Sequence, residues 1–345
     1  MLEAMKKEIF LRKDELPQAP LHSIYFGGGT PSLLSPSEVD SIINVIRANF
    51  QLSNQVEITL EMNPDDVTEN YLEDIKAVGI NRLSLGVQSF FDAELRIMNR
   101  VHTAQESFLL IEKVAELFSN YSMDLIYGMP NSTLESWKKN IDIALSFSPP
   151  HISSYALTVE PKTILEKQVE RGEVNLLVEE DVEKQFNYLV KTLEKNRYDH
   201  YEISNFGKKN FHAVNNSAYW EGKPYLGIGP SAHSYYKDTR SWNIRNNQIY
   251  LKSISENRLP IERESLSLID QYNEYIMTGL RTSSGVSLTR VSNNFGKHFS
   301  NLLEKEAEKH LINQHLFWDG DQLKASSKGK FLVDGIASDL FLINL

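Results

Sequence analysis

The chain has 345 residues, 41% hydrophobic content, a formal net charge of -10 and no cysteine. The length exceeds what one core usually holds, so two domains are the default, and the acidic balance argues against nucleic acid, whose phosphates need clustered Lys and Arg. Without cysteine the chain itself has no disulfides, no thiolate nucleophiles and no cysteine-ligated metal or iron-sulfur site.

In chain order, the start Met1-Leu2-Glu3-Ala4-Met5-Lys6-Lys7-Glu8 reads as charged and helical rather than as a signal segment. No apolar run is long enough to span a bilayer, so a cytoplasmic protein is expected. From residue 22 to about 161, short β-rich runs alternate with amphipathic helices at the intervals of βα units. The strands fall at 23–26, 56–61, 82–87, 123–127 and 152–157, read as continuous β-branched runs covered by helices. Ser35-Pro36-Ser37-Glu38 combines a capping box with proline at the first helical position, and Val39, Ile42, Ile43, Ile46 and Phe50 follow on one face. Thr103-Ala104-Gln105-Glu106 is a second capping box, and Thr133 caps the helix that buries Trp137, Ile141, Ala144 and Leu145.

This pattern predicts a parallel sheet, either doubly wound or a (β/α) barrel. Each strand carries polar or glycine-rich residues at its C-terminal end, which places a shared ligand site on that rim. After the first strand comes Gly27-Gly28-Gly29-Thr30-Pro31-Ser32, bare backbone open to close approach. Glu61, before Asn63-Pro64, can accept two ribose hydroxyls, and Gln88 offers a donor and an acceptor. Arg100 brings a guanidinium fork suited to a carboxylate. Asp124, set among Met123, Leu125 and Ile126, needs a partner that the sequence does not identify.

Residues 179–196 read as one charged amphipathic helix, and 201–247 as a loop-rich stretch dense in Gly, Asn, Ser, Tyr and Trp, like a binding surface. From Leu266, two helices carrying Leu280, Leu302, Leu303, Ala307 and Leu311 precede a strand-like Gln322-Leu323-Lys324-Ala325 and a closing helix ending at Leu345. This looks like a small helix-turn-helix with a wing, read as a lid or docking module rather than a DNA reader.

Gly27-Gly28-Gly29-Thr30-Pro31, Glu61-Met62-Asn63-Pro64, Gly86-Val87-Gln88-Ser89, Asn99-Arg100, Asp124-Leu125-Ile126-Tyr127-Gly128-Met129-Pro130 and Tyr155-Ala156-Leu157 occur in that order. In this the chain resembles radical S-adenosylmethionine proteins like oxygen-independent coproporphyrinogen III oxidase. The run Tyr219-Trp220 and Pro224-Tyr225-Leu226-Gly227-Ile228-Gly229-Pro230-Ser231-Ala232-His233-Ser234 is similar to the shorter, haem-chaperone branch. The resemblance covers nearly the whole chain. It implies a partial (β/α) barrel of the radical SAM type at 1–200, a connecting and haem-site region at 201–265, and the family's C-terminal, winged-helix-like module at 266–345. It also implies that Gly28, Gly29 and Thr30 lie against the methionine part of S-adenosylmethionine, Glu61 and Gln88 near the ribose and Arg100 on the methionine carboxylate, with Asp124 and Ala156 completing the nucleoside pocket.

Two departures bear on function. The family's first strand and its Cys-x-x-x-Cys-x-x-Cys loop, which holds a four-iron four-sulfur cluster, have no counterpart here, so the barrel is expected to lack its first strand. Radical chemistry by this polypeptide is not expected, since nothing would supply the electron that cleaves the sulfonium. A truncated, misplaced or real start of the chain would each explain this. The haem-chaperone branch usually shows His-Asn-x-x-Tyr-Trp, whereas Asn215 stands here in place of that histidine and cannot serve as an axial ligand. His212 and His233 are the remaining ligand candidates, beside an aromatic site at Tyr219, Trp220 and Tyr225. The leading expectation is a haem chaperone that passes haem to an acceptor protein. The alternatives are a coproporphyrinogen oxidase-like enzyme and a degenerate scaffold. The acceptor, the haem ligand and the oligomeric state stay open.

Overall fold

The computed structural model describes residues 1–68 and 70–343. Leu2–Leu11 forms α1, Leu21–Phe26 β1, Pro36–Asn49 α2 and Leu52–Met62 β2. Tyr71–Ala77 (α3) leads to Arg82–Gln88 (β3), and Asp92–Ile97 (α4) with Ala104–Leu117 (α5) to Tyr121–Tyr127 (β4). Leu134–Ser146 (α6) precedes His151–Ala156 (β5); Ile164–Glu170 (α7) and Glu179–Lys195 (α8) precede Asp199–Glu202 (β6) and Asn205–Gly207 (β7). These strands form one sheet of order β1-β2-β3-β4-β5-β7-β6. β2 through β5 run parallel, and β7 then joins β5 antiparallel.

The helices begin where the sequence signals them. Pro36 opens α2, and Thr103 with Glu106 and Thr133 with Ser136 close the capping boxes of α5 and α6. The strands, in contrast, are not continuous apolar runs. Ile58, Leu60, Met62, Leu83, Leu85, Val87, Met123, Leu125 and Ile152 are buried on one face. The alternate positions carry Glu57, Thr59, Glu61, Arg82, Ser84, Ser122, Asp124, His151 and Ser153. The second face is thus a polar wall, several of whose groups pair with one another. Arg82 Nε lies 3.8 Å from Glu57 Oε2, and Ser84 Oγ donates to Asp124 Oδ2 at 2.9 Å.

The chain divides into two compact units. One comprises 23–36 and 57–213, and the other 1–22, 37–56 and 214–345. In the second unit Val214–Trp220 (α9) is followed by His233–Tyr236 (β8), Thr239–Asn243 (β9), Asn247–Ser255 (α10) and Ile261–Ser265 (β10), the three strands forming a sheet of order β10-β9-β8. Part of the stretch expected to be loop-rich is therefore regular: Ser234, Ser241 and Asn243 point inward from β8 and β9 and are buried. Leu268–Leu280 (α11), Val286–Ser287 (β11), Leu288–Phe295 (α12), Lys297–Ile312 (α13), Leu316–Asp319 (β12), Gln322–Ala325 (β13) and Val333–Asp339 (α14) follow. Three helices, not two, precede the β12–β13 hairpin, because Gly296, at a φ of 103°, breaks what reads as one helix into α12 and α13. The closing helix stops at Asp339; Leu345 lies outside the described residues.

Glu8 is the polar centre of the second unit. It is 0% exposed, and its carboxylate accepts from Arg12 Nη1 at 3.0 Å, Asn243 Nδ2 at 2.7 Å, Gly229 N at 2.8 Å and Tyr250 Oη at 2.6 Å. A buried carboxylate needs such a set of donors. The effect is to pin the Gly227-Ile228-Gly229-Pro230 turn to α1.

Candidate functional site

Because β2 to β5 are parallel, their C-terminal ends share one edge of the sheet, and the glycine loop after β1 reaches that edge through Glu61. Gly28 N donates to Glu61 Oε2 at 3.2 Å, and Tyr25 Oη donates to Oε1 at 2.7 Å. Gly27 makes this pairing possible, since a Cβ there would stand 2.5 Å from the Tyr25 ring and 2.8 Å from Glu61 Oε1. Gly28 is left-handed at a φ of 80°, and a Cβ on it or on Gly29 would meet nothing within 4 Å. The loop therefore borders open space on the side a ligand would occupy. Thr30 precedes the 3-10 turn Pro31–Leu33 without spending its hydroxyl on a cap.

A second group forms at the end of β3. The β3–β4 register shifts between Leu85 and Gln88, and Gln88 is left-handed at a φ of 65°, unusual for a residue with a side chain. A Cβ on Gly86 would lie 3.2 Å from both Gln88 Nε2 and Asn63 Oδ1. Arg100 Nη1 donates to the same Asn63 oxygen at 3.1 Å. His102 Nε2 lies 3.2 Å from the Val87 carbonyl and steadies the strand end behind them.

Asp124 lies on the polar face of β4, where Ser84 and Ser122 donate to its two oxygens at 2.9 and 3.0 Å. Burial raises the Asp124 carboxyl above its ordinary value, against the serine hydrogen bonds and the Arg82 charge, which lower it. Glu61 is also raised, mainly by burial and further by Asp124's charge, with Tyr25 and Gly28 pulling the other way. Strained backbone, open glycines and perturbed acids at one sheet edge have the character of a ligand site. Gly28, Glu61 and Asp124 belong to one electrostatic group, and Gln88 and Arg100 meet at Asn63. Gly29, Thr30 and Ala156 share the same strand ends without a hydrogen bond to those five among the described residues. Ala156 is exposed and pairs in register with Tyr127.

The haem candidates separate. His212 stacks on Tyr201 at 4.3 Å and its Nε2 lies 3.2 Å from Asp199 Oδ2, so its ring is already engaged. His233 is exposed on β8, its ring 6.0 Å from Trp242, and shares a face of that strand with Tyr235. Tyr235 lies 6.3 Å from Tyr225, which meets Tyr219 edge-on at 4.5 Å. Trp220 is faced by the Arg281 guanidinium at 5.1 Å. Asn215 hydrogen-bonds the Tyr219 phenol one turn on. Sequence reasoning named Gly27 and Asn63 within motifs without giving either a role of its own, and missed Tyr25, Ser122, His151 and Tyr201. Ser122 and His151 fall just before the strands expected at 123–127 and 152–157, whereas β4 and β5 begin at Tyr121 and His151.

Among the described residues no group of three or more His, Cys, Asp or Glu is arranged to hold a metal ion, and no helix is long and apolar enough to cross a membrane. Residues 6–144 match the radical SAM superfamily and residues 266–332 the HemN C-terminal domain. The chain is 33% identical over 319 residues to the heme chaperone HemW of Bacillus subtilis, covering 90% of this chain and 84% of that protein. It is 34% identical over 327 residues to the heme chaperone HemW of Lactococcus lactis, covering 92% of this chain and 86% of that one. The solved structure of Escherichia coli coproporphyrinogen III oxidase superposes with a TM-score of 0.84 at 22% identity, over 99% of this chain and 82% of that one, a likeness of fold.

Proposed function

The chain belongs to the heme chaperone HemW family on a radical SAM scaffold, and from that premise we propose that it binds haem and hands it to an acceptor protein. The observation that carries this reading is the extent of the likeness, which runs through both compact units and nearly the full length of relatives bearing that name. The proposed haem surface is the aromatic strip of Tyr219, Tyr225 and Tyr235, with His233 as the iron ligand. His233 is preferred to His212 because it is exposed and shares a strand face with Tyr235. Trp220 borders the strip. The cytoplasm, where haem is received by acceptor proteins without export, is the proposed location.

The rim is proposed to hold S-adenosylmethionine, with Gly28, Gly29 and Thr30 along the methionine part, Glu61 and Gln88 at the ribose, Arg100 at the carboxylate, and Asp124 and Ala156 at the nucleoside. The open side of Gly28 and Gly29 and the donor and acceptor chemistry of the rest fit such a ligand. Bound there, the sulfonium would supply a cleavable carbon–sulfur bond. The family's four-iron four-sulfur cluster does not fit this chain, which has no cysteine to ligate it, and no radical step is derived.

Haem titration of the purified chain, followed at the Soret band, tests the reading. A saturable Soret shift in the wild type, lost or strongly weakened in His233→Ala and retained in His212→Ala, is expected. No shift in the wild type would leave the scaffold reading in its place, and a shift unchanged in His233→Ala would remove His233 as ligand.

A further inference from the structure

Behind Asp124 the polar face of the sheet carries a row of buried groups that the proposed pocket does not use. Ser122 Oγ lies 3.0 Å from Asp124 Oδ1, 2.9 Å from His151 Nδ1 and 2.9 Å from Ser153 Oγ. His151 Nε2 lies 2.8 Å from Tyr201 Oη, and that phenol oxygen accepts from Ala213 N at 3.3 Å. His151 is 0% exposed and Tyr201 8%.

Proton counting gives this row a direction. Above its raised pKa Asp124 is a carboxylate that only accepts, and the single Ser122 proton then goes to it. Ser122 Oγ must then accept from His151, which puts the ring proton on Nδ1. In a neutral ring Nε2 is left as an acceptor, and Tyr201 supplies the proton while its own oxygen takes the Ala213 N–H. Ser153 Oγ lies 2.9 Å from Ser122 Oγ and also hydrogen-bonds Asp124. The opposite tautomer would require the same Ser122 proton at His151 Nδ1 and at Asp124, and would leave the Tyr201 proton without this partner. With Asp124 ionised, this direction gives each of these buried polar groups a partner.

We propose that Tyr201 and His151 are positioning residues for the rim: Tyr201 donates to His151 Nε2, His151 Nδ1–H donates to Ser122, and Ser122 donates to Asp124, fixing the carboxylate offered to a nucleoside. The ligand half of this rests on the S-adenosylmethionine pocket proposed above; the hydrogen-bond direction does not. The ionisable groups facing His151 are Tyr201 from β6, Arg82 from β3 and His212 after β7, with Asp124 reached through Ser122. Burial and the Arg82 charge hold the imidazole well below its ordinary value, consistent with a neutral ring.

The test is nitrogen-15 NMR of the full chain labelled at histidine, with the His151 signals identified by their loss in His151→Phe. Nδ1 should be protonated and Nε2 bare, with no titration between about pH 6 and 8, where a free imidazole changes charge. Tyr201→Phe should move the His151 signals toward a mixture of tautomers. In the same variant, with its circular dichroism unchanged, affinity for S-adenosylhomocysteine measured by calorimetry should fall roughly 3- to 10-fold, the effect of one lost hydrogen bond. A proton on Nε2, or a ring that titrates in that range, overturns the direction. Equal affinity in Tyr201→Phe and wild type overturns the positioning role while the pocket stands. A wild type that binds no S-adenosylhomocysteine defeats the pocket and the ligand half together, and the NMR still decides the direction.

Discussion

Neighbouring glycines in the loop after β1 have opposite consequences for a side chain. A Cβ on Gly27 would press on Tyr25 and Glu61 at 2.5 and 2.8 Å, whereas one on Gly29 would meet nothing within 4 Å. Gly27→Ala should therefore destabilise the chain by about 1–3 kcal/mol, the usual cost of overpacking, read by chemical denaturation. Gly29→Ala should leave stability at or slightly above wild type, by up to about 1 kcal/mol from reduced freedom of the unfolded chain, yet weaken S-adenosylhomocysteine binding. Equal stability losses in the two would contradict the geometry of the loop. Glu61 gives a pH prediction. Its carboxyl is raised in the folded chain, so folding favours the protonated form and stability falls as pH rises from the ordinary glutamate value of 4.5 to the raised one. Glu61→Gln removes that fall, so its stability relative to wild type should climb through this window and level off above it; a difference independent of pH would count against a raised Glu61. Motifs in the sequence mark the eight residues proposed for the rim. Asn63 was seen only as part of a motif and His151 not at all, since its partners Ser122 and Tyr201 lie 29 and 50 positions away in the chain.

At the scale of the element, boundaries followed local chemistry and faces did not. The capping boxes of α5 and α6 were legible because a cap is a contact over three residues. β2 was expected at 56–61 and runs Leu52–Met62, since Ser53, Asn54 and Gln55 carry no strand signature. The role of α1 was illegible for a different reason: Glu8 gains its meaning from Asn243, Gly229 and Tyr250, more than 200 positions away, with separations of 235, 221 and 242 residues. This makes α1 an anchor for the turn before His233. Glu8→Gln would turn an amide N–H toward donors and leave the Arg12 charge, 1% exposed, balanced by Glu15 alone, with neutral acceptors at Gly227 O and Ser234 Oγ. A loss of about 3 kcal/mol is expected from breaking a buried pair on one side, discounted little because both groups are buried. Denaturant unfolding measures it, and a loss below about 1 kcal/mol, the range of a surface pair, would show that the anchor is not needed.

At the scale of the molecule, the sheet has two ends of different character. β6 ends it with Asp199 and Glu202, charges that discourage a second strand from pairing there, whereas β1 ends it with Leu21-His22-Ser23-Ile24-Tyr25-Phe26, which contains no acidic residue, Lys, Arg or Pro. Against edge pairing stands the net charge of -10, which repels copies of the chain at a distance. The two effects differ in salt dependence, because the repulsion is screened over about 10 Å at 0.1 M ionic strength and about 3 Å at 1 M, while backbone pairing is not. Light scattering coupled to size exclusion should thus find the chain mostly monomeric in low salt and increasingly associated in high salt. His22 is exposed on β1, and His22→Lys puts a charge on that strand that salt screens but that must still be desolvated for a second strand to pair. The variant should remain monomeric in high salt where the wild type associates. A wild type that is monodisperse at both salt concentrations would mean that β1 does not recruit a second strand. Association unaltered by His22→Lys would move the contact elsewhere on the surface.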